Sequence, residues 1–351
     1  MDALIDVRLM PPLDAPYQRL LVEALTASGC KVTVGVKLPR RGVYFGKRLD
    51  IIHLHWLNLI FPLDSCFRSA LALCRFLFPL AILKVRGTHI VWTAHEITSH
   101  DSTNPEFERR FALWILPWVD QIIVHNEGMR AKVKRLCPAV GDAMIHLIPH
   151  GHFIDYYHRA YQGSIVHEMV KKTPGAFRFL AMGYMRRNKG TDLIIRAFRT
   201  LAGSNLELWL IGDCEDASYR QEIQTFISAD PRIRLEVRRH TDSEFVQLHE
   251  TADVSVFAFT RCDTSGSLIS AMSVGAAIIA PRIGHVRDLL DDESAILYEA
   301  KDKDGLVRAM KSAVDRRSEL PRLARRSKER IRLDKWEEIG RRTRNVYLAD
   351  N

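Results

Sequence analysis

Short apolar runs that have the character of buried strands recur along the chain, with helical stretches between them. In the first half these runs are KVTVGV (31–36), DIIHLHW (50–56), HIVWTAH (89–95), DQIIVHN (120–126) and MIHLIPH (144–150). Regular alternation of such strands with helices predicts parallel sheets that are covered by helices. The sequence therefore predicts an α/β protein.

A polar interval, YHRAYQGSIVHEMVKKTPGA (157–176), interrupts this alternation. The strand candidates then resume at 177–183, 206–212, 233–238, 253–259, 276–281 and 295–300. A chain of 351 residues is longer than most single domains. We therefore predict two doubly wound, Rossmann-like domains, 1–160 and 161–351, with the last helix a candidate for crossing back to the N-terminal domain.

Ligands of open α/β sheets bind outside the carboxyl ends of the strands, so two facing domains would enclose a central cleft. Site residues are expected directly after strands. Three loops meet this condition: the loop after VWTAH, the loop after FLAMG and the loop after SVFAF.

The stretch TSGSLISAMSVGAAIIAPRIG (264–284) reads as a turn of small residues, a helix, a glycine and a buried strand. Ser265, Gly266 and Ser267 lie at the helix start, where free N–H groups and the helix dipole favour an anion. The same residues are also compatible with an ordinary N-cap. The pattern alone leaves both interpretations open.

The loop GYMRRNKG (183–190) follows a strand candidate and precedes an amphipathic helix. Arg186 offers a planar fork of donors and Lys189 a point charge, and both suit the oxygens of a diphosphate. A solvated basic loop is the alternative. A second anion site in the same half, at Ser265–Ser267, favours the functional interpretation.

GYMRRNKG resembles the G-x-[IM]-R-x-x-K-G loop of GT-B glycosyltransferases, and SGSLISAMSVGAAIIAPRIGHVRDLL resembles their donor-binding helix, strand and loop. The resemblance covers nearly the whole C-terminal half. It implies that Gly183, Arg186 and Lys189, with Ser265, Gly266 and Ser267, bind the diphosphate of a nucleotide sugar. The common retaining branch carries two Glu residues where this chain has Cys262 and Ser270, with Asp263 adjacent to the first.

The N-terminal segments DAPYQRLLVEAL, IIHLHW and RGTHIVWTAHEITSHD are similar to bacterial exopolysaccharide transferases. Within that branch, the SGSL helix start resembles the xanthan-type GDP-mannose:glycolipid 4-beta-mannosyltransferase family. This resemblance implies transfer of mannose from GDP-mannose, with inversion, to a polyprenyl-diphosphate-linked oligosaccharide. A retaining transferase that uses another nucleotide sugar and a non-catalytic nucleotide-sugar-binding protein are the alternatives.

Inversion needs a general base near the acceptor hydroxyl, on the face opposite the leaving diphosphate, and hence in the N-terminal half. TAHEITSHD supplies His95, Glu96, His100 and Asp101, of which Glu96 is the favoured base and His95 the residue expected to contact the sugar. Asp14, the first residue of DAPYQRLLVEAL, competes with Glu96. A carboxylate in such a loop can equally cap a helix or pair with an arginine.

No metal or cofactor besides the nucleotide sugar is expected. His53 and His55 alternate on a strand without an evident third ligand, and GDCED (212–216) is better explained by acids that cap a helix. Six scattered cysteines without a C-x-x-C pair argue against a zinc site or a disulfide framework. Loops around 237–245 are candidates for the nucleobase pocket.

A formal net charge of +9 predicts an anionic partner. No nucleic-acid-binding motif is evident, so anionic lipid and phosphorylated ligands are favoured. The segment 59–87 is apolar but is interrupted by Asp64, Arg68 and Arg75, so it is either a buried helix or an interfacial one. With basic residues at 316–344 and no evident secretory signal, we expect a cytoplasmic protein attached peripherally to the inner face of the plasma membrane.

Overall fold

A computed structural model provides the structure of the chain. It describes the backbone of residues 4–35, 49–60, 66–98, 104–161, 173–227 and 230–349. The strand and helix bounds given below are those of the described ranges.

The chain packs into two units, Met1–Gly151 with Asp334–Asn351, and His152–Leu333. The sequence predicts the division after residue 160. The structure places helix Ile154–Tyr161 in the second unit, because the Tyr157 ring stacks on Phe245 at 4.8 Å and its hydroxyl donates to Ser270. The terminal helix belongs to the first unit.

The first unit contains a six-stranded parallel sheet in the order β2-β1-β3-β4-β5-β6. Its strands are β1 (Ile5–Met10), β2 (Cys30–Val34), β3 (Ile51–Leu54), β4 (His89–Ala94), β5 (Gln121–Val124) and β6 (Ile145–Leu147). Every residue of β3 and β5 is buried, as expected for central strands with both faces covered.

Helices of the first unit are α1 (Pro16–Ala27), α2 (Cys66–Val85), α3 (Pro105–Ile115), α4 (Glu127–Leu136) and, at the C-terminus, the helix Trp336–Leu348. The terminal helix packs closely on α1, since a Cβ at Gly340 would lie 2.6 Å from the Ala24 carbonyl oxygen. The Tyr347 hydroxyl is hydrogen-bonded to Nδ1 of His53 at 2.7 Å. These contacts fix the end of the chain on the first sheet.

The second unit contains a six-stranded parallel sheet in the order β12-β11-β10-β7-β8-β9. Its strands are β7 (Phe177–Met182), β8 (Leu206–Gly212), β9 (Ile233–Val237), β10 (Val254–Val256), β11 (Ile278–Pro281) and β12 (Ile296–Tyr298). Its helices are α5 (Ile154–Tyr161), α6 (Thr191–Arg199), α7 (Ala217–Ile227), α8 (Asp242–Thr251), α9 (Gly266–Val274), α10 (Val286–Leu289), α11 (Gly305–Asp315) and α12 (Leu320–Ile331). The terminal helix of the first unit, Trp336–Leu348, is numbered α13.

Local sequence signals define several helix ends in this unit. Helix α8 begins with a capping box in which Thr241 and Glu244 satisfy each other's backbone N–H groups. Helix α9 begins at the N-cap Ser265 and ends at Gly275, whose φ of 79° is readily adopted only by glycine. Two parallel six-stranded sheets with covering helices confirm the predicted α/β class.

Candidate functional site

The loop after β7 is shaped by glycines at both of its ends. Gly183 has a φ of 123° and Gly190 a φ of 66°, conformations that residues with a side chain rarely adopt. A Cβ at Gly190 would lie 2.2 Å from the Ala258 carbonyl oxygen. The loop therefore passes directly against the segment that follows β10.

The start of α9 lies at the same sheet edge. Ser265 is buried, and its hydroxyl accepts a hydrogen bond from the Leu268 N–H at 3.3 Å. This bond is the predicted N-cap. Gly266 remains exposed, and a Cβ there would meet no atom within 4 Å.

The two loops converge although about eighty residues separate them in sequence. Nζ of Lys189 lies 3.5 Å from Oγ of Ser267, and a Cβ at Gly183 would lie 3.7 Å from the Ser267 Cβ. The Thr260 N–H donates to the Asn188 carbonyl at 2.9 Å. The sequence predicted Gly183, Lys189 and Ser265–Ser267 as one site, and the structure brings these residues together.

The two arginines of the β7 loop have different surroundings. The Arg187 guanidinium donates to Glu222 at 2.9 Å and lies 4.8 Å from the Tyr219 ring, so its charge is neutralised locally. Arg186 is half-buried, and its guanidinium lies 4.9 Å from the Tyr184 ring. Arg187 thus has a structural ion pair with Glu222, whereas Arg186 is the arginine predicted to bind phosphate.

The arrangement favours an oxyanion. Lys189 brings a positive charge to the first turn of α9, where backbone N–H groups and the positive end of the helix dipole also lie. Open space at Gly266 lets a ligand approach this turn. Phosphate oxygens match this combination of cation, amides and space.

The positions where the retaining enzymes carry two Glu residues hold no carboxylate. Cys262 is buried, and the Ser270 hydroxyl accepts a hydrogen bond from Tyr157 at 3.0 Å. Asp263 is buried and lies 3.5 Å from the Arg261 guanidinium. Ser270 and Asp263 thus contact neighbouring side chains, and the carboxylate pair is absent.

In the first unit, His95 and Glu96 directly follow β4, as the sequence predicts. The His95 ring stacks on Trp56 with centroids 4.2 Å apart and planes 10° apart. Its Nε2 is 3.0 Å from Nδ1 of His55. Glu96 is half-buried, so a carboxylate and a firmly held imidazole are adjacent at this strand end.

Asp14 does not share this environment. Its side chain is 86% exposed and forms an ion pair with Arg19, one of the alternatives considered for acids in such loops. His100 and Asp101 lie outside the described residues. Glu96 therefore combines partial burial with a place beside His95, whereas Asp14 is a solvated partner of an arginine.

The histidines of β3 are not arranged as metal ligands. Nδ1 of His53 contacts Tyr347 and its Nε2 contacts the Thr93 hydroxyl, each at 2.7 Å, so both ring nitrogens are used. Within the described ranges, no group of three or more His, Cys, Asp or Glu is placed to hold a metal ion. Asp216 of the GDCED segment accepts hydrogen bonds from the N–H groups of Ser218 and Tyr219, so this acid caps α7.

A cluster of imidazoles at the carboxyl edge of the first sheet is not among the sites predicted from the sequence. A histidine follows each of the strands β3, β4, β5 and β6, namely His55, His95, His125 and His150, and all four are buried. The Tyr17 ring lies among them, with centroid distances between 4.7 and 6.0 Å. The available signal was the repeated histidine at the end of consecutive strand candidates.

Burial keeps His55, His95 and His125 of this histidine cluster neutral. Desolvation, with the charges of neighbouring imidazoles, holds the pKa of His55 and of His95 well below the usual range. Burial lowers the pKa of His125 to about 4, although its hydrogen bond to the Ile148 carbonyl opposes this shift. At neutral pH the edge of this sheet therefore presents uncharged imidazoles.

A cavity of about 660 Å³ lies along β12 and α11, and its lining includes neither the predicted donor-site residues nor the histidine cluster. Arg282 on its wall pairs with Asp292, and Arg308 pairs with Asp302. Because its charges neutralise one another, this cavity is a poorer candidate for an anionic ligand.

Comparisons with known proteins identify relatives of this chain. Residues 176–316 match the family described as glycosyl transferases group 1. The GDP-mannose:glycolipid 4-beta-D-mannosyltransferase of Xanthomonas campestris pv. campestris is 24% identical over 307 residues, which cover 86% of this chain and 80% of that protein.

Solved structures share the architecture. Sucrose-phosphate synthase from Thermosynechococcus elongatus superposes with a TM-score of 0.76 at 16% identity and covers 98% of both chains. The Anabaena protein HepE in complex with UDP-glucose superposes with a TM-score of 0.71 at 13% identity, over 97% of this chain and 98% of that chain. The sheets, the loop motifs and these relatives together show that the chain is a glycosyltransferase of the GT-B fold, related to the glycosyl transferases group 1.

Proposed function

We propose that the protein transfers mannose from GDP-mannose, with inversion at the sugar carbon, to a polyprenyl-diphosphate-linked oligosaccharide in exopolysaccharide assembly. The observation that carries the proposal is the convergence of Lys189 with Ser267 at the open start of α9. The mannosyltransferase name of the Xanthomonas relative supports the donor and the glycolipid acceptor.

In this proposal the donor diphosphate lies against the second unit. Arg186 and Lys189 bind its oxygens, and the first N–H groups of α9 complete the site with the Ser265 and Ser267 hydroxyls. These groups stabilise the charge that develops on the leaving nucleoside diphosphate. Because two cations and a helix end already supply this stabilisation, we expect transfer to persist in the presence of a metal chelator.

Inversion fits the absence of a carboxylate at Cys262 and Ser270. The acceptor oxygen attacks the anomeric carbon while the bond from that carbon to the diphosphate oxygen breaks, and the electron pair leaves with GDP. The acceptor hydroxyl proton passes to the Glu96 carboxylate. Analysis of the product anomer tests this step, since a retained configuration would contradict it and favour a retaining transferase.

A lipid-linked acceptor requires access to a membrane, and α2 carries a surface suited to this task. No helix in the described ranges is both long and apolar enough to cross a bilayer. The outward side chains of α2 include Leu71, Phe78 and Val85, which are 41%, 64% and 89% exposed, with Arg75 between them. An apolar stripe with a basic residue is typical of interfacial helices.

We therefore propose peripheral attachment to the inner face of the plasma membrane through this stripe. Flotation with vesicles of increasing anionic lipid content should show binding that weakens with salt. Phe78→Asp should abolish flotation, whereas Leu193→Asp, at an exposed leucine of the second unit, should have no effect. Equal flotation of both variants would contradict the role of α2.

The donor site is tested by thermal shift against GDP, UDP and their sugars. A ligand at a hundred times its Kd stabilises the folded form by about 2.7 kcal/mol. Arg186→Ala combined with Lys189→Ala should remove the GDP shift. Arg187→Ala is the matched control from the same loop, because Glu222 already neutralises that residue, and it should retain the shift.

An unchanged shift in the double variant would place the diphosphate elsewhere. A GDP shift without measurable transfer or donor hydrolysis would instead favour a non-catalytic binding protein. A larger shift with UDP than with GDP would reject GDP-mannose as the donor.

A further inference from the structure

The histidine cluster contains one direct contact between imidazoles that fixes the chemistry of His95. Nδ1 of His55 lies 3.0 Å from Nε2 of His95, and both rings are buried. Stacking on Trp56 holds the His95 ring plane. Nε2 is therefore committed to His55, and Nδ1 is the nitrogen that remains for a ligand.

A neutral imidazole carries one proton, so this contact allows two tautomeric arrangements. Either His55 donates from Nδ1 and His95 keeps its proton on Nδ1, or His95 donates from Nε2 and His55 keeps its proton on Nε2. The first arrangement makes Nδ1 of His95 a donor. The second makes the same atom an acceptor.

The other nitrogen of His55 decides between the two arrangements. Nε2 of His55 is buried and has no hydrogen-bond partner in the part of the chain that the structure describes. A buried N–H without an acceptor is rarer in proteins than an under-satisfied acceptor atom. We therefore assign Nε2 of His55 as the unprotonated nitrogen. His55 then carries its proton on Nδ1 and donates it to His95.

The neighbouring histidines have the same tautomer, set by backbone carbonyls. Nδ1 of His125 is 2.9 Å from the Ile148 carbonyl oxygen, and Nδ1 of His150 is 2.8 Å from that of Gly151. A carbonyl oxygen only accepts, so both rings donate from Nδ1. Nε2 of His125 is left to accept from the Tyr17 hydroxyl, 3.5 Å away.

We propose that His55 is a positioning residue that fixes His95 as a neutral hydrogen-bond donor, with Nδ1–H directed to a hydroxyl oxygen of a sugar ligand. This inference rests on the proposed transfer reaction. In it, His95 cannot be the general base, because its free nitrogen already carries a proton. The base is then a different group, and Glu96 follows His95 directly in the chain.

Among the described residues, the charges that act on an imidazolium at His95 are those of other imidazoles, which disfavour it. Within the ranges that the structure describes, the titratable groups that face His95 are the Tyr17 hydroxyl from α1, His53 in β3, His55 directly after it, and His125 and His150 after β5 and β6. Glu96 is the adjacent acid in the sequence. Burial also lowers the pKa of His53, His55 and His125, so these neighbours are uncharged at neutral pH.

The direct test is the nitrogen-15 spectrum of the histidine side chains in the full-length protein, with the His95 signals assigned by their loss in His95→Asn. We expect a protonated Nδ1 and an unprotonated Nε2 at neutral pH. The opposite pattern in the wild-type protein would overturn the proposal, and this readout needs neither activity nor a variant of His55.

Two isosteric variants test the role of His55. Asn at position 55 keeps a donor N–H near the place of Nδ1, whereas Asp puts only an acceptor there. His55→Asn should therefore preserve the His95 tautomer and reduce kcat/KM by less than about tenfold. His55→Asp should move the proton of His95 to Nε2, reduce kcat/KM more than tenfold and introduce a new ionisation between about pH 6 and 8.

Equal spectra and equal pH profiles for the two variants would refute the positioning role. His249→Asn is the control, because His249 is also buried and donates to a backbone carbonyl but lies in the second unit. It should leave the His95 spectrum unchanged. The GDP thermal shift separates the two proposals, since loss of donor binding by the Arg186 and Lys189 variants is independent of the tautomer at His95.

Discussion

Acidification from about pH 7.5 to about pH 5.5 should destabilise the first unit more than the second. Burial lowers the pKa of His53 to about 3 and that of His125 to about 4, and it holds the pKa of His55 and of His95 well below the usual range. In the unfolded chain each imidazole titrates near about 6.5. Below that pH the unfolded state binds more protons than the folded state, so stability is lost as the pH falls.

The magnitude follows from proton linkage. An imidazole that titrates near 6.5 only when unfolded contributes a loss of about 1.4 kcal/mol between these two pH values, and four such groups contribute about 5.5 kcal/mol. Asp334 acts in the opposite direction, because burial raises its pKa to about 6, and it offsets about 1 kcal/mol. In the second unit, His249 with a pKa of about 4 contributes a loss of about 1.4 kcal/mol.

Burial also lowers the pKa of His146 in the first unit and of His240 in the second, so each unit has one further histidine that acts in the same direction. We therefore expect the first unit to lose about 3 kcal/mol more stability than the second. That is a large fraction of the stability of a typical domain.

Peptide-resolved hydrogen exchange measures both units in one sample, after correction for the pH dependence of the intrinsic exchange rate. Peptides from β3 to β5 should lose protection on acidification, whereas peptides from β7 and β8 should change little. His125→Asn keeps a donor for the Ile148 carbonyl and removes one titrating group. It should reduce the loss in the first unit by about 1.4 kcal/mol.

Equal losses in the two units, or a loss below about 1 kcal/mol in the first, would refute the reasoning. A loss below about 1 kcal/mol in the first unit would mean that the cluster accepts protons without unfolding. The imidazoles of the histidine cluster would then be hydrated in solution.

Three further substitutions test individual contacts. Gly266→Val should leave the melting temperature nearly unchanged but weaken GDP binding at least tenfold in a titration, because the valine side chain would fill the open space at the start of α9. Unchanged affinity would place the phosphates elsewhere. Gly190→Ala should cost at least about 2 kcal/mol by urea unfolding, since φ is positive and Cβ would contact the Ala258 carbonyl oxygen. Tyr347→Phe leaves Nδ1 of His53 without its partner and should cost about 1–3 kcal/mol, seen as lost exchange protection in α13.

The strands were predictable because burial on both faces selects continuous apolar runs. LELWLIG coincides with β8, and FRFLAMG exceeds β7 by one residue. Some bounds differed, since SVFAF was expected to be strand throughout whereas β10 ends at Val256. The following residues instead approach the β7 loop, a tertiary contact that periodicity does not contain.

The donor site was predictable for a related reason. Glycine, basic and small hydroxyl residues after two strands mark loops whose backbone must approach an anion, and parallel topology brings those loops to one edge. The sequence could not separate Arg186 from Arg187, because their difference depends on Glu222, a residue of another helix. Likewise, the exposure of Asp14 and the partial burial of Glu96 depend on tertiary packing.

The histidine cluster illustrates a limit of reading segments one at a time. Each of its histidines is unremarkable within its own strand, and a single buried histidine is usually a packing residue. The contacts arise because parallel strands of similar length end at the same edge, so residues at equivalent register become neighbours. Comparing the residues that end successive strands would have found His55, His95, His125 and His150.

The two sheets therefore end in different chemistry, and this difference has a measurable consequence. The second sheet presents Lys189 and the N-terminus of α9, which attract phosphate through charge. The first presents neutral imidazoles, which suit the uncharged hydroxyls of a sugar. Salt screens the first kind of interaction far more than the second. Added salt should thus weaken GDP binding and leave the affinity for an uncharged sugar analogue of the acceptor largely unchanged, whereas an equal salt dependence would show that the imidazole edge binds through charge.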